Sequence, residues 1–441
     1  MTDGSGSTAG STAGSTAYHH GSHQDLLWSP AEPVLARPGI EAIFVPTARP
    51  PEYLRHVADL ALDLNCPLVT MHSGKWTSAA SATSYLFDHL GWTDLDLIAI
   101  DVPPTAGLRL PHLETSKLLA GTVFARRTDL SAKRNLALTL SRLRNWTRIL
   151  FFDDDITGLK ARDALDASGL LANYNAVGLR IGGFPDNSVV CHAYRRAGGE
   201  QKEFIGGGAL AVAADRTDSF FPDIYNDDWF FLLDGKGRLQ PTAATGNVIQ
   251  HKYDPFRNPE RARAEELGDV LAEGIYWLLD QGGSIADADA RHWKVYLGVR
   301  RRFITDVLGM VQAEVTASAD QAAEKERKIA ALKGAIGRLA LITPKLCEDY
   351  LRAWSRDRQR WRDHIDQVDS VVQLNQALSM LSSPGARKLT WQINRRRHER
   401  QATSTSAISL ARVITVGTRP SNAPGTDQPR EVSLSGPPAS K

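Results

Sequence analysis

The stretch RILFFDDDIT, residues 148–157, decides how the rest of the chain is interpreted. Its apolar part, residues 149–152, is typical of a buried strand, and three aspartates follow it, Asp153, Asp154 and Asp155. Because side chains alternate along a strand, we expect Asp153 and Asp155 on one face and Asp154 on the other. Carboxylates this close repel one another unless a cation lies among them. The pattern favours a site for Mg²⁺ or Mn²⁺ with a bound phosphate, and the alternative is an aspartate-rich turn in water.

The composition is that of an ordinary globular protein. With 441 residues, 42% of them hydrophobic, the chain can form one large domain and a second unit. A net charge of +2 implies no general attraction to nucleic acid, and none is expected as a partner. Cys66, Cys191 and Cys347 show neither disulfide nor zinc spacing, which fits a reducing compartment. No signal peptide and no apolar run of about 18 residues is seen, so we expect a soluble, cytoplasmic protein without integral membrane contact.

Four parts of the chain differ in their sequence pattern. Residues 1–30 are a low-complexity tail and residues 401–441 are rich in Ser, Thr and Pro, so both are expected to be mostly disordered. Residues 38–257 alternate strand and helix patterns, which predicts a mostly parallel α/β sheet flanked by helices. Residues 258–400 predict an all-helical C-terminal region, through which the protein could form a homo-oligomer. Helices are expected there at about 259–279, 287–317, 320–340, 344–366 and 367–381. The basic run at 395–400 is expected to be a solvated helix end.

Polar residues stand at the carboxyl ends of the predicted strands. Strands are expected at residues 40–46, 67–72, 95–101, 176–181, 188–194, 204–212 and 247–251. Five residues follow the first three of them: Thr47, Arg49, Ser73, Lys75 and Asp101. Ligands of open α/β sheets bind at this edge, so the joint placement of these residues indicates a nucleotide pocket.

A basic pair begins the helix that leads into the aspartate strand. If Ser131 caps this helix, Lys133 and Arg134 fall in its first turn, where the helix dipole disfavours cations. A bound diphosphate would reverse that preference, because a helix N-terminus and two cations form an anion site. The alternative is a pair of solvated basic residues, but the position directly before the aspartates favours phosphate binding.

Three further features follow the aspartates. The glycines at 206–208 interrupt a strand pattern, which either a close neighbour or a bulge would explain. Asp227 and Asp228 precede an apolar run; one of them can cap a helix, which leaves the other available for chemistry. His251 ends the last predicted strand, and its place after two acidic groups makes a metal-binding role credible.

In this order the pieces resemble the GT-A glycosyltransferases, especially the family 2-like group of nucleotide-diphospho-sugar transferases. The resemblance covers about residues 40–255 and rests on the segments 45–49, 133–135, 151–156, 206–208 and 226–229 and on His251. Segment 151–156 resembles the "DXD" site of these enzymes. The resemblance implies a metal-dependent transfer of a hexose-like sugar from a nucleoside-diphosphate sugar to an acceptor hydroxyl. Two features depart from the family: Asn226 stands where many members have another acid, and the C-terminal region lacks transmembrane helices.

The resemblance also implies roles for individual residues. The divalent cation, Mn²⁺ or Mg²⁺, would be bound by Asp155, with Asp153 near the metal or the ribose and His251 as a later ligand. The donor would contact Thr47, Arg49, Asp101, Lys133, Arg134, Asn135, Asp153 and Asp154. On the acceptor side lie Gly207, Gly208 and Trp229. Asp228, or in second place Asp227, would deprotonate the acceptor hydroxyl of a carbohydrate, lipid-linked or small-molecule acceptor.

Two other functions fit the same residues. The sequence Asp153 to Thr157 also satisfies D-x-D-x-T, the motif of haloacid-dehalogenase-type phosphatases, in which Asp153 would be phosphorylated and Asp155 would be the acid/base. That motif normally opens its domain, whereas a long ordered region precedes it here. The other alternative is a catalytically inactive GT-A-like scaffold. The sequence does not fix the donor, the acceptor or the stereochemical outcome.

Overall fold

The structure is a computed structural model that describes residues 26–27, 36–182, 188–200, 205–383, 385 and 389–394. The predictions for most of the two tails and for the basic run at 395–400 lie outside these residues. Within the first predicted tail, Leu26 and Leu27 are described, and both pack against the hydrophobic core. Among the described residues, no helix combines the length and the apolar character that crossing a membrane requires.

In the described ranges, nine strands form one mixed sheet. They are β1 (Ala42–Thr47), β2 (Leu68–His72), β3 (Leu97–Asp101), β4 (Arg148–Phe152), β5 (Ile156–Thr157), β6 (Ala176–Gly182), β7 (Ala209–Ala213), β8 (Thr242–Gln250) and β9 (Thr390–Asn394), in the order β5-β8-β6-β7-β4-β1-β2-β3-β9. Strand β1 pairs in parallel with β2 and β4, as do β2 with β3 and β6 with β8. Strand β7 is antiparallel to β4 and β6, β5 to β8, and β9 to β3. The carboxyl ends of β1 to β4 therefore meet at one edge of the sheet.

Helices cover both faces of this sheet. They are α1 (Arg55–Leu64), α2 (Ala79–Thr83), α3 (Glu114–Leu119), α4 (Leu130–Arg144), α5 (Ala161–Leu170), α6 (Val189–Arg196), α7 (Asp227–Phe231), α8 (Pro259–Asp280), α9 (Ala290–Ala313), α10 (Ala319–Leu339), α11 (Pro344–Asp366) and α12 (Leu374–Met380). Single turns of 3₁₀ or π geometry lie at Pro51–Leu54, Ser84–His89, Thr105–Gly107 and Ile285–Asp287. The last five helices agree with those predicted from the sequence, although α12 is shorter than expected.

One predicted strand is a helix. Residues 188–194 carry the β-branched pair Val189 and Val190, which favoured a strand, but they belong to α6. The hydroxyl of Ser188 accepts a hydrogen bond from the Cys191 N–H and so caps the helix. The capping bond and the burial of both valines outweigh their strand propensity. The glycines at 206–208 are not within a strand either, because β7 begins after them, at Ala209.

The C-terminal region is not purely helical. After α12 the chain returns to the edge of the sheet as β9, where Thr390 lies opposite Asp101 and donates a hydrogen bond to its carboxylate at 3.2 Å. This pairing covers the edge of β3, whose backbone N–H and C=O groups on that side would otherwise be unpaired.

The sheet and the helical region share one hydrophobic core. One cluster covers the sheet face that carries α4 and α6 to α12, and a second cluster covers the face with α1, α2 and α5. Tyr350, Trp354 and Trp361 on α11 are fully buried in the first cluster. Phe230 of α7 contacts both Tyr350 and Trp354, with ring centroids 5.7 Å apart in each pair.

A buried ionic cluster joins α8 to α9. The guanidinium of Arg300 donates hydrogen bonds to Glu266 at 3.0 Å, to Asp269 at 2.7 Å and to Glu273 at 2.9 Å. Burial raises the pKa of Glu266 to about 7 and that of Asp269 to about 6, against the attraction of Arg300. Three carboxylates thus depend on one cation.

This cluster predicts a stability effect that varies with pH. At pH 8 we expect Arg300→Leu to lower the free energy of unfolding by about 3–5 kcal/mol, because it leaves buried charges without a partner. The loss should shrink toward pH 5, because carboxyls whose pKa values are already raised then bind protons and become neutral. Urea unfolding at both pH values measures this, with the exposed neighbour variant Arg301→Leu as the control. An Arg300→Leu protein as stable as the control at pH 8 would contradict the cluster.

Candidate functional site

Asp153 of the first acidic group and both aspartates of the second, Asp227 and Asp228, line one cleft at the carboxyl edge of the sheet. The aspartate turn after β4, the glycine segment before β7 and the start of α7 surround it. Its walls include Arg134, Asp153, Gly208, Asp227, Asp228 and Gln250. We call it the acidic cleft.

The three aspartates form a buried turn. The strand ends at Phe152, so Asp154 and Asp155 do not alternate: Arg49 binds both of them, contacting Asp155 at 2.7 Å, and the Thr47 hydroxyl donates to Asp154 at 2.6 Å. The predicted split of Asp154 from its two neighbours is therefore wrong, and so is the alternative of carboxylates in water, since all three side chains are buried. Burial and the neighbouring Asp155 raise the pKa of Asp154 even though Arg49 contacts it.

Arg134 bridges the two acidic groups. Arg134 is the fifth residue of α4; its guanidinium donates to Asp227 at 2.9 Å, lies 3.3 Å from Asp153 and has its Cζ 5.4 Å from the Phe221 ring centroid. Ser131 does not cap the helix as expected, because α4 already begins at Leu130; its hydroxyl instead donates to Asp227 at 2.8 Å. Arginine's fixed fork of donors suits such a double contact.

Lys133 points toward the strand ends. Its ammonium donates to the Thr47 carbonyl at 2.9 Å and to the Ser73 hydroxyl at 2.6 Å, and it pairs with Asp129 at 3.1 Å. Burial lowers the pKa of Lys133. Since Lys133 and Arg134 are both buried, the alternative of two solvated basic residues is wrong.

Asp228 is held by two backbone N–H groups. They come from Gly207, at 2.7 Å, and from Trp229, at 3.0 Å. Burial and repulsion from Asp227 raise the pKa of Asp228 to about 6 despite these bonds. Neither aspartate caps α7 through its side chain: Asn226 precedes the helix in the left-handed conformation, with φ of 60°.

The glycine segment packs directly on the charged side chains. A Cβ on Gly207 would lie 2.7 Å from the Arg134 guanidinium, and one on Gly208 would lie 2.9 Å from the Asp153 carboxylate. The Gly208 carbonyl also accepts a hydrogen bond from the Asp153 N–H at 2.8 Å. The close neighbours are thus side chains of the site, which explains why residues without Cβ stand here.

Four predicted site residues have other partners. Asp101 accepts from the Ala79 N–H at 2.7 Å, at the start of α2. The Asn135 amide bonds to both the N–H and the carbonyl of Phe221, each at 2.8 Å. The Trp229 ring packs on Tyr276 rather than lining the cleft, with centroids 4.6 Å apart. His251 is exposed and bonds to the Asp155 carbonyl through its N–H, at 2.9 Å.

The donor chemistry of the cleft fits Mg²⁺ or Mn²⁺. In the part of the chain that the structure describes, no three His, Cys, Asp or Glu side chains are placed to hold one metal ion, so Asp153, Asp155 and His251 do not form a closed cage. Magnesium-type sites need no such cage, because one or two carboxylates suffice when phosphates and water complete the shell. Across the aspartate turn and the cleft there are five carboxylates, those of Asp153, Asp154, Asp155, Asp227 and Asp228, and four cations, Arg49, Arg126, Lys133 and Arg134, of which Lys133 is shared with Asp129. A divalent cation would offset the excess of negative charge.

Among the residues that line the cleft, Arg126 and Gln250 were not predicted as site residues from the sequence, and neither were Leu130, Ile181 and Tyr225. Arg126 lies with its guanidinium 5.9 Å from the Tyr225 ring, and Gln250 is buried at the end of β8. A signal for Gln250 was present, because in a strand it shares a face with Val248, two residues earlier. For Arg126, which lies in a loop, no local pattern points to the cleft.

Comparisons with known proteins add a distant structural likeness. No family model matches the chain, and no curated protein matches its sequence. Among solved structures, a mannosyltransferase from Pyrobaculum calidifontis in complex with GDP-mannose and Mn²⁺ is similar, with 16% identity and a TM-score of 0.36 over 77% of this chain and 89% of that chain. A likeness of this size does not bear on chemistry, which rests on the cleft itself.

The close packing of Gly208 predicts the effect of adding one methyl group. We expect Gly208→Ala to displace Asp153 and Ile156 and to lower the free energy of unfolding by about 1–2 kcal/mol. The control is Gly298→Ala on α9, where nothing lies within 4 Å; there alanine should raise stability by up to about 1 kcal/mol. Urea unfolding compares the two variants. Equal stabilisation by both substitutions would show that Gly208 is not enclosed as described.

Proposed function

We propose that the chain is a GT-A-fold glycosyltransferase of the family 2-like group. It moves a sugar from a nucleoside-diphosphate sugar to the hydroxyl of a carbohydrate, lipid-linked or small-molecule acceptor. The observation that carries the proposal is the acidic cleft, in which a metal-type aspartate turn and a second carboxylate pair are bridged by Arg134. The order of the sequence motifs supports it independently.

On the donor side, the chain's own residues would bind and orient the nucleoside diphosphate. Lys133 and Arg134, at the N-terminal turn of α4, would face the diphosphate. Thr47 and Arg49 would border the nucleoside. Asp155 with Asp153, and His251 beside them, would hold Mn²⁺ or Mg²⁺, which when bound stabilises the charge on the departing diphosphate.

On the acceptor side, Asp228 is the general base that the geometry supports best. A pKa of about 6 leaves it ionised at neutral pH but makes it a stronger base than an ordinary aspartate. It would take the proton of the acceptor hydroxyl while that oxygen bonds to the sugar and the bond from sugar to phosphate breaks. Asp227 is the second candidate, because its carboxylate is already bound by Ser131 and Arg134.

The other two functions explain less of the cleft. A phosphatase using Asp153 and Asp155 gives no role to Asp227 and Asp228, which line the same cleft as Asp153. An inactive scaffold would gain stability by losing buried like charges, yet the chain retains them.

Nucleotide binding tests the donor site. We expect one of UDP, GDP, TDP, CDP and ADP to raise the melting temperature in the presence of Mn²⁺, since a ligand at 100 times its Kd adds about 2.7 kcal/mol. Asp155→Ala should remove the Mn²⁺-dependent part of this shift, whereas Asp63→Ala, at an exposed position of α1, should leave it unchanged. A thermal-shift assay measures both. If Asp155→Ala shows the same Mn²⁺-dependent rise in melting temperature as the unmodified protein, Asp155 is not a metal ligand.

The raised pKa of Asp228 predicts how transfer depends on pH. Activity should rise with pH through about 6 and then level off, because the protonated carboxyl cannot accept the acceptor's proton. Asp228→Asn should bind the nucleotide with Mn²⁺ as the unmodified protein does, but lose about 10²–10⁴-fold in transfer rate. Release of the nucleoside diphosphate from the responding donor measures the rate. Undiminished transfer by Asp228→Asn would place the base elsewhere.

A further inference from the structure

Gln250 is a buried side-chain amide that has no hydrogen-bond partner among the described residues. It is the last residue of β8, its side chain lines the acidic cleft, and it is 2% exposed. Among the described residues, neither its Oε1 nor its Nε2 has a hydrogen-bond partner. Buried side-chain amides are nearly always bonded, so an unpaired one requires an explanation.

The fold holds this amide in the cleft. Gln250 pairs with Ile156, the first residue of β5, which directly follows the aspartate turn. The N–H of His251, the residue after Gln250, donates a hydrogen bond to the Asp155 carbonyl. Strand alternation therefore turns Val248 and Gln250 inward and Ile249 outward, where Ile249 is 54% exposed. An amide inside and an isoleucine outside reverse the usual preference, so packing does not explain the choice.

The amide adds a chemistry that its charged neighbours lack. The carboxylates of Asp153 and Asp228 accept hydrogen bonds when ionised, and Arg134 only donates them. Gln250 can do both at once, which matches two neighbouring hydroxyl groups of a sugar but not a phosphate, which has acceptor oxygens only. The other side-chain amide at the cleft, that of Asn226, already donates to Asp269 at 3.0 Å.

We propose that Gln250 binds a pair of neighbouring hydroxyls on a sugar in the acidic cleft. The inference rests on the proposed function. Because the ribose of a nucleotide also carries two neighbouring hydroxyls, a loss of affinity for the nucleoside diphosphate alone would assign Gln250 to the ribose and overturn the inference. The sugar is either the one being transferred or the acceptor; both present the same diol chemistry.

The first measurement needs no ligand. Gln250→Leu should leave the urea midpoint of the free protein unchanged or higher, because leucine fills a similar space and removes an unpaired amide. The matched control is Gln240→Leu. Gln240 is equally buried, but it donates to the Phe231 carbonyl at 3.0 Å and accepts from Asn175 at 3.3 Å, so its midpoint should fall. If Gln250→Leu falls as far as Gln240→Leu, the amide has a structural partner and the inference is overturned.

The second measurement separates the sugar from the nucleotide. With Mn²⁺, unmodified protein and Gln250→Leu are titrated with the responding nucleoside diphosphate and then with its sugar conjugates, such as UDP-glucose, UDP-N-acetylglucosamine or GDP-mannose. We expect equal affinity for the diphosphate alone. A sugar conjugate bound tenfold or more weakly by Gln250→Leu would show contact with the donor sugar.

A third comparison covers the acceptor. If affinity for the conjugate is unchanged, a tenfold higher KM for methyl glycoside acceptors in Gln250→Leu would assign the contact to the acceptor. If Gln250→Leu changes neither the affinity for the sugar conjugate nor the KM for the acceptor, the role of Gln250 is overturned, whereas the proposed function stands. If the unmodified protein responds to no nucleotide and no conjugate, the proposed function fails, and the inference fails with it.

Discussion

The placement of Arg134 between Asp153 and Asp227 is the interaction on which the cleft depends. The two aspartates come from distant segments, and without a cation between them their buried carboxylates would repel across the gap. Arg134 is the fifth residue of α4, so the same contact holds the N-terminal part of that helix against both acidic groups. It thereby positions Lys133 at the strand ends and Ser131 against Asp227.

The helical region supports this arrangement from behind. Asn226, in its left-handed conformation just before α7, donates to Asp269 on α8, and Asp269 belongs to the Arg300 cluster. A side chain at Gly268 would lie 2.2 Å from the Tyr225 carbonyl, so α8 touches the backbone that presents the second acidic pair. The helices after residue 258 therefore support the site. The sequence pattern separated residues 258–400 from the sheet and did not predict this contact.

Local patterns predicted the parts of the site that are local. The aspartates after β4 and the basic pair near the start of α4 follow from strand and helix patterns over a few residues, whereas the choice of Asp228 came from the resemblance to glycosyltransferases. Long-range pairing could not be predicted in this way. The amide of Asn135 bonds to the Phe221 backbone, and β9 depends on an edge that only the folded sheet provides. The valines of α6 show the opposite case, in which a cap and burial outweigh a local propensity.

Raised pKa values and unpaired buried groups also occur outside the cleft: burial raises the pKa of Glu266 in the Arg300 cluster to about 7, and the ring N–H of Trp354 has no hydrogen-bond partner among the described residues. Asp357 is fully buried, yet its oxygens accept from the Glu114 and Thr115 N–H groups at 2.6 and 2.8 Å, and so it holds the start of α3. In the cleft, burial raises the pKa of Asp228 to about 6 despite two hydrogen bonds, and the Gln250 amide has no hydrogen-bond partner among the described residues. These groups weaken the folded state where they stand. What sets Asp228 and Gln250 apart is that they line a space that a ligand can enter, whereas Glu266 and Trp354 are enclosed in the core.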